Sequence, residues 1–174
     1  SGCEGSVIQF TNSSLIATGS INTYTWNFGN TNTSNAIAPT QSYSYSALNQ
    51  GLYTVTLSAS SDQNCVTTKT SKLNIYPYPQ VSITPVNNSC INDVITFTPN
   101  ISIPFGTINS YVWTFGDGVT SPVVVNSPTI TTPAPHTYTA FNTQYTITLA
   151  AFSNFNCTAI GSNTVRVYPK PIPN

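Results

Sequence analysis

The chain has 174 residues, and only eight of them are charged, four basic and four acidic, so its formal net charge is zero. Such a chain lacks the basic surface that nucleic acid or an anionic membrane requires, and it offers few groups for acid–base chemistry. No run of about 18 apolar residues is present, so the sequence predicts no membrane span. Aromatic residues make up 11% of the chain and β-branched residues are abundant, which is enough to build a folded core.

An aromatic pattern, Tyr-x-Trp-x-Phe-Gly, occurs twice, at residues 24–29 and 111–116. The two tryptophans lie 87 positions apart, and two further pairs share this spacing: Cys3 with Cys90 and Phe10 with Phe97. The spacing is 92 for four later pairs: Tyr53 with Tyr145, Leu57 with Leu149, Cys65 with Cys157, and Tyr76 with Tyr168. One register with a five-residue insertion around residues 119–135 explains both spacings. The sequence therefore predicts two tandem copies of one domain, residues 1–79 and 80–174.

In chain order, the strand signals lie at residues 7–10, 24–28, 53–59 and 73–76 of the first copy, and at residues 94–97, 111–115, 145–149 and 165–168 of the second. Apolar and polar residues alternate with a period of two in the longer stretches, and no window has the 3.6-residue period of a helix. This pattern predicts an all-β chain of two immunoglobulin-like β-sandwiches. The Trp strand is expected at the centre of each core, where the packed aromatic residues are Trp26, Phe28, Tyr53, Trp113, Phe115 and Tyr145.

Each copy ends in Tyr-Pro-x-Pro, at residues 76–79 and again at residues 168–171. Alternating prolines keep the backbone extended and remove hydrogen-bond donors, so a linker this short acts as a semi-rigid spacer. We therefore expect a rod-like array of domains. The chain starts at Ser1 without a Met or a signal peptide and ends in what resembles a further linker, so we expect a segment of a longer or processed protein.

The four cysteines occupy equivalent places in the two copies. The most economical pairing is one disulfide in each copy, Cys3 with Cys65 and Cys90 with Cys157, and closing a loop of that size stabilises a fold by roughly 4 kcal/mol. A metal site is the competing interpretation, but zinc ligands come in closely spaced pairs and the single histidine cannot complete two sites. Disulfides imply an oxidising compartment, so the sequence predicts a secreted or cell-surface protein.

The second copy contains Trp113-Thr114-Phe115-Gly116-Asp117-Gly118, then His136-Thr137-Tyr138, then Tyr145-Thr146-Ile147-Thr148-Leu149. This succession resembles the signature of the PKD domain. The first copy departs from it, because Trp26-Asn27-Phe28-Gly29-Asn30 lacks the Asp-Gly pair and Tyr43-Ser44-Tyr45 stands where the family has His-x-Tyr. The resemblance covers nearly the whole chain and implies an immunoglobulin-like sandwich.

The cysteine-bearing form with a surface rich in Thr, Ser and Asn and with Tyr-Pro-x-Pro linkers is similar to the tandem PKD-like repeats of large Bacteroidota surface proteins. SprB-like gliding-motility adhesins, exported by the type IX secretion system, are the best-known kind. The resemblance implies extracellular spacer and adhesion modules on the bacterial outer surface, without catalytic activity.

Three kinds of residue invite a functional interpretation. Trp26 and Trp113 are potential sugar-stacking platforms, but their place in an alternating aromatic ladder favours core packing. At Asp117, a turn in which Gly118 takes a positive φ is favoured over a calcium ligand, since calcium needs six or more oxygens and the first copy has Asn30 here. His136 is interpreted as a structural hydrogen-bonding residue, because no nucleophile and acid are spaced to form a triad with it. We therefore expect no metal and no cofactor.

The acidic residues of the two copies are not repeated, so a glycosidase pair is not expected and the sequence predicts no enzyme. The leading hypothesis is a stiff spacer in a surface filament, whose partners are adjacent repeats of the same chain or other adhesin chains. The second is weak contact with surface polysaccharide, strengthened by multivalency, through the tyrosines expected to be exposed in loops, Tyr43 and Tyr78. The third is an accessory carbohydrate- or protein-binding module of a secreted hydrolase. Neither nucleic acid nor membrane insertion is expected.

Overall fold

The computed structural model describes residues 1–44, 46, 49–84, 86–121, 124–125 and 134–173. The chain divides into two compact units, a first unit of Ser1–Pro77 and a second unit of Tyr78–Asn174. The boundary falls two residues before the predicted one. The described residues form sixteen β-strands and no α-helix, which confirms the all-β class, and none of them belongs to a helix that could cross a membrane.

The first unit contains the strands β1 (Gly2–Cys3), β2 (Val7–Gln9), β3 (Ile21–Asn27), β4 (Thr33–Ser34), β5 (Thr40–Ser42), β6 (Leu52–Ser61) and β7 (Val66–Tyr76). Five of them form a sheet in the order β1-β7-β6-β3-β4, and β2 pairs with β5. The β1–β7 pair is parallel and the other pairs are antiparallel. The buried core side chains are Trp26, Phe28, Tyr43, Tyr53, Val55, Leu73 and Ile75.

The second unit contains β8 (Gln80–Ile83), β9 (Ser89–Cys90), β10 (Val94–Phe97), β11 (Pro99–Ser102), β12 (Ile108–Thr114), β13 (Val124–Val125), β14 (Ala134–Thr137), β15 (Thr143–Ser153) and β16 (Thr158–Tyr168). Its large sheet has the order β13-β12-β15-β16-β9, which repeats the order of the first unit, and β10 pairs with β14. Among the described residues, one further strand pair, β8 with β11, occurs in the second unit and has no counterpart in the first. The core includes Ile83, Phe97, Trp113, Phe115, Tyr138, Ile147, Leu149 and Val165.

The longest strands of each unit form a hairpin, β6–β7 in the first and β15–β16 in the second. The alternation of apolar and polar residues predicted only part of each of these strands. In the structure, backbone pairing continues beyond the alternating residues. The turns between them carry Asn64 and Asn156 with φ of 60° and 61°, in the left-handed region that asparagine tolerates. The Trp strands, β3 and β12, lie next to the middle strand of each five-stranded sheet, and the middle strand itself is β6 or β15.

Candidate functional site

A tight turn follows the Trp strand in each unit, at Gly29 and at Gly116. Both glycines have a positive φ, and a Cβ at either position would lie 2.6 Å from a backbone oxygen, that of Thr54 or of Thr146. Only glycine permits such a close approach of two backbones. The Phe-Gly part of the motif therefore fastens the end of the Trp strand to the neighbouring long strand, β6 or β15.

Asp117 lies in the turn that was predicted for it, with Gly118 at a φ of +90°. Its Oδ1 atom accepts a hydrogen bond of 3.1 Å from the backbone N–H of Val119. Its Oδ2 atom lies 2.7 Å from Nε2 of His136, whose ring stacks on Phe115 with ring centroids 4.1 Å apart. The pair joins the turn to β14.

Two opposing influences act on the pKa of the Asp117 carboxyl. Burial raises the pKa, whereas the hydrogen bonds from His136 and from the Val119 backbone, together with attraction to the histidine, lower it. The lowering influences win, so the pKa lies below its ordinary value. The carboxylate is thus held in its charged form by structural partners, as expected for a turn residue that also anchors a neighbouring strand.

The acidic residues of the second unit are separately engaged. Asp93 forms an exposed ion pair of 2.7 Å with Lys170, away from the Asp117–His136 pair. Within the described ranges, no group of three or more His, Cys, Asp or Glu side chains gathers in a way that would hold a metal ion.

Tyr43, expected to be an exposed ligand contact, is instead a core residue. Its side chain is 3% exposed, and its hydroxyl donates a 3.2 Å hydrogen bond to the carbonyl oxygen of Phe28. Its ring packs on that of Tyr53 with centroids 4.7 Å apart. Burial, followed by the proximity of Tyr53, raises the pKa of Tyr43 to about 12. The sequence expectation was wrong because an aromatic residue just outside a strand completes the core.

The position of Tyr43 also corrects the register of the repeat. In the second unit the hydroxyl of Tyr138 donates to Phe115, which matches the bond from Tyr43 to Phe28. The counterpart of His136 is then Gln41, since both pair with the isoleucine of the facing strand. The loop before this strand is eight residues longer in the second unit and the loop after it is three residues shorter. Tyr45, which was aligned with Tyr138, lies outside the described residues.

Tyr78 remains as the exposed tyrosine of the predicted pair, with 41% of its side-chain surface accessible. It lies between the two prolines of the linker, Pro77 and Pro79. An exposed aromatic ring of this kind is a candidate contact for the apolar face of a sugar.

An open groove of about 630 Å³ runs along β7 of the first unit. It is lined by hydroxyl side chains, by the partly exposed core residues Phe10 and Leu57, and by Lys69. Phe97 and Leu149, which are the counterparts of Phe10 and Leu57 in the second unit, are completely buried. The groove thus marks a place where the core of the first unit is less covered than that of the second.

The cover in the second unit is β8. Ile83 of β8 belongs to the core, and Asn163 donates a 3.4 Å side-chain hydrogen bond to its carbonyl oxygen. β8 passes so close to β16 that a Cβ on Gly161 would lie 2.7 Å from the backbone oxygen of Val81. The first unit has Lys69 at the position of Gly161. The groove therefore lies where β8 covers the core in the second unit. In the first unit this place is uncovered and is bordered by a lysine instead of a glycine.

Cys3 and Cys65 lie at opposite ends of β7. Cys3 is in register with Tyr76, the last residue of β7, and Cys65 immediately precedes Val66, the first. Ten residue steps of about 3.3 Å separate these ends by roughly 33 Å, whereas a disulfide needs Cα atoms within about 7 Å of each other. The expected Cys3–Cys65 bond is therefore not formed, and Cys65 is an exposed free thiol.

The second unit repeats this arrangement along β16. Cys90 is in register with Tyr168 and Cys157 immediately precedes Thr158, so the expected Cys90–Cys157 bond is not formed either, and Cys90 is a half-buried free thiol. Cys3 and Cys157 are disulfide-bonded. A disulfide-bonded chain belongs in an oxidising, extracytoplasmic compartment, in agreement with the sequence analysis.

Comparison with known proteins gives one sequence match and several similar folds. Residues 1–75 match the family profile of the PKD domain, which spans the first unit. No curated protein sequence matches the chain. Among solved structures, the chain is similar to fibronectin(III)-like modules of Clostridium thermocellum CbhA, with 13% identity, a TM-score of 0.43, and coverage of 99% of this chain and 92% of that one.

Two further solved structures are similar at the same level. The D00–D0 domain of Intimin has 12% identity and a TM-score of 0.42, with 94% of this chain and 93% of that one covered. Three N-terminal domains of the highly immunogenic outer capsid protein of bacteriophage RB49 have 11% identity and a TM-score of 0.39, with coverages of 95% and 55%. The first unit is thus similar to a PKD domain, and the second unit repeats the order of its large sheet.

Proposed function

We propose that the chain is a non-catalytic repeat segment of a large secreted or cell-surface filamentous adhesin, in which each unit acts as a spacer. The observation that carries the proposal is the path of the chain through the second unit. The chain enters in β8, beside Gly161 near the start of β16, and leaves at Tyr168, where β16 ends. Each such unit therefore advances the chain by the length of its longest strand, roughly 33 Å for ten residue steps.

The use of the conspicuous side chains supports a structural role. The recurring tryptophans, Trp26 and Trp113, are buried, and the buried tyrosines Tyr43 and Tyr138 donate hydrogen bonds to backbone carbonyls. The Asp117–His136 pair, present in one unit only, binds a turn to a strand. Side chains used in this way stabilise a fold and leave little for turnover of a substrate.

The finer assignment follows the family resemblance. The PKD-like first unit, the cysteines and the Tyr-Pro-x-Pro linkers favour a tandem-repeat adhesin of the Bacteroidota outer surface, of the SprB-like gliding kind, exported by the type IX system. Its partners are then adjacent repeats of the same chain. The near absence of charge favours this role, because neighbouring copies do not repel one another.

A second candidate function is weak contact with polysaccharide. Exposed Tyr78 and the hydroxyl-lined groove of the first unit favour it, and multivalency along a repeated chain would strengthen each weak contact. An accessory module of a secreted hydrolase is the remaining alternative. A parent chain with one or two such units beside a hydrolase would favour the accessory module, and a parent with many units would favour the spacer.

Two measurements on the purified chain test the spacer role. In single-molecule stretching between the chain ends under reducing conditions, which open the disulfide of Cys3 and Cys157, we expect two separate unfolding steps, because each unit has its own core. On a panel of polysaccharides, we expect no saturable binding by the monomer or by a multivalent display. Saturable binding that falls on Tyr78→Ala would replace the spacer by the adhesive function, and turnover of a peptide or glycoside that is lost on His136→Ala would refute the non-catalytic role.

A further inference from the structure

Each cysteine position occurs twice in this chain, once disulfide-bonded and once free. We call the end of a unit at Tyr76 or Tyr168 its trailing end, and the opposite end of the same strand its leading end. At the trailing end Cys3 is disulfide-bonded and Cys90 is free, and at the leading end Cys157 is disulfide-bonded and Cys65 is free. The positions are equivalent in strand register. A disulfide at one position therefore indicates that the free cysteine at the equivalent position is also placed to form a disulfide.

The two cysteines of one unit cannot satisfy each other. They lie at opposite ends of an eleven-residue strand in both units, well beyond the reach of a disulfide. A cysteine at the leading or trailing end therefore needs a partner from outside its own unit. A free thiol left over in a protein of an oxidising compartment is the expected mark of such an external bond.

The path of the chain indicates which external cysteine is suitable. The second unit is entered at its leading end, where β8 runs beside the first residues of β16, and is left at its trailing end, beside Cys90. In a repeated chain the trailing end of one unit is followed, after a short Tyr-Pro-x-Pro linker, by the leading end of the next. A trailing-end cysteine and the next leading-end cysteine are thus brought together by the covalent chain itself.

We propose that Cys65 and Cys90 are the sites of disulfide bonds to flanking repeats, the trailing-end cysteine of each repeat bonding to the leading-end cysteine of the next. The partner is a repeat of the same kind. The inference rests on the proposed function, because it requires a chain of repeats. Such bonds would give every junction a second covalent connection beside the proline linker, so that a pulling force would not act on the linker alone.

The bond forms by thiol–disulfide exchange with a disulfide donor, which is a thiol–disulfide oxidoreductase in the organism and glutathione disulfide in the test. The Cys90 thiolate attacks the donor disulfide, forms a mixed disulfide and releases one donor thiolate. The leading-end thiolate of the next repeat then attacks the Cys90 sulfur and releases the second donor thiolate. The two donor thiolates take up the two protons that the cysteine thiols lose, so the donor disulfide is reduced by two electrons to two thiols.

The test uses a tandem chain of two full copies. Residues 80–87 are placed between Pro171 of the first copy and Ser1 of the second, which restores the fourteen-residue spacing from Tyr76 to Cys90. The tandem chain is equilibrated in a glutathione redox buffer, denatured, titrated for thiols and mapped by mass spectrometry. Each copy alone has two free thiols, so two separate copies have four. We expect the tandem chain to have two, with Cys90 of the first copy linked to Cys65 of the second.

Matched variants fix the direction of the bond. Cys90→Ser in the first copy should leave Cys65 of the second copy free, whereas Cys90→Ser in the second copy should leave the junction bond intact. Four free thiols in the folded tandem chain, or Cys65 linked to Cys90 within one copy, would overturn the inference. The spacer role would survive that result, since stretching and polysaccharide binding test it separately.

A second measurement needs no tandem chain. Cys65→Ser and Cys90→Ser chains, which have one free thiol each, are mixed in equal amounts in the same buffer. We expect the product that joins Cys65 to Cys90 to exceed the half of all linked dimers that random pairing would give. A proportion of half or less, or no linked product, counts against the matching of leading and trailing ends.

Discussion

The hydroxyl of Tyr138 donates a 2.8 Å hydrogen bond to the carbonyl oxygen of Phe115, the residue immediately before the Gly116 turn. The same bond joins Tyr43 to Phe28 in the first unit. Both tyrosines are buried, and burial is the main cause that raises the pKa of both hydroxyls. Nearby charged or ionisable groups raise the pKa further. The tyrosine that ends the His-x-Tyr motif thus satisfies a carbonyl group at the end of the Trp strand.

Removing this hydroxyl should destabilise one unit at a time. Tyr138→Phe leaves the buried Phe115 carbonyl without its donor, so we expect the second unit to lose about 1 to 2 kcal/mol of unfolding free energy. Tyr43→Phe should have a similar effect on the first unit. Hydrogen exchange measured separately for the amides of each unit would show the effect, and Tyr168→Phe, at an exposed ring, is the control that should change little.

Gly116 and Gly118 separate crowding from backbone strain. Both have a positive φ, but a Cβ on Gly116 would lie 2.6 Å from the Thr146 oxygen, whereas a Cβ on Gly118 would meet nothing within 4 Å. We expect Gly118→Ala to cost about 1 to 2 kcal/mol, from strain alone, and Gly116→Ala to cost roughly 2 to 4 kcal/mol. Denaturant unfolding of the two variants compares them directly, and equal losses would contradict the crowding argument.

The Asp117 carboxylate should make the second unit sensitive to acid. Its pKa in the folded chain lies below the ordinary value of 3.8, so its stabilising effect is present above that value and is lost as the pH falls through the folded pKa. We expect Asp117→Asn to lower stability by about 1 kcal/mol or less at neutral pH. The difference from the parent chain should begin to shrink as the pH falls below the ordinary pKa of 3.8, and should vanish only below the lowered pKa of the folded chain.

The first unit offers the matched control for this titration. Asn30 occupies the place of Asp117 and accepts the equivalent turn hydrogen bond, from Asn32, at 3.2 Å. Gln41, which stands opposite in place of His136, cannot become positively charged. Asn30→Asp should therefore add no stability that acid removes. A pH-dependent gain in the first unit would show that the turn, and not the histidine, lowers the pKa.

The long strands and the two-unit organisation were readable from sequence, because Tyr53 and Tyr145 begin runs in which apolar residues alternate strictly with polar ones. β8 was not predicted, since Gln80–Ile83 follow a proline and are too few to show a period. The cysteine pairing was predicted wrongly, because the sequence does not show that Cys3 pairs with Tyr76. Cys65 directly precedes the strand that ends at Tyr76, so it cannot lie near a residue paired with Tyr76.

Tyr43 shows a different limit of sequence reasoning. The loops on the two sides of this strand differ in length between the units, one being longer and the other shorter in the second unit. Spacing alone therefore aligned Tyr138 with a residue two positions from its true counterpart. The hydrogen bond to Phe28 and the strand register identify Tyr43, and not Tyr45, as the counterpart of Tyr138. The side-chain partners of a duplicated residue therefore fix the register where the spacing alone does not.

Gly161 is expected to decide whether β8 can cover the second unit. A Cβ there would lie 2.7 Å from the Val81 oxygen, and the φ of Gly161 is not in the left-handed region, so crowding is the sole cost of a side chain. We expect Gly161→Ala to destabilise the second unit by about 1 to 3 kcal/mol and to speed hydrogen exchange in β8 more than in β15.

The first unit again provides the control, because Lys69 stands at the equivalent position beside an open groove. Lys69→Ala should change stability by no more than about 0.5 kcal/mol, as is usual for exposed sites. If Gly161→Ala were equally harmless, β8 would not be held by its close approach to β16. The core residue Ile83 and the bond from Asn163 would then have to carry its attachment, and Asn163→Ala would become the more damaging substitution.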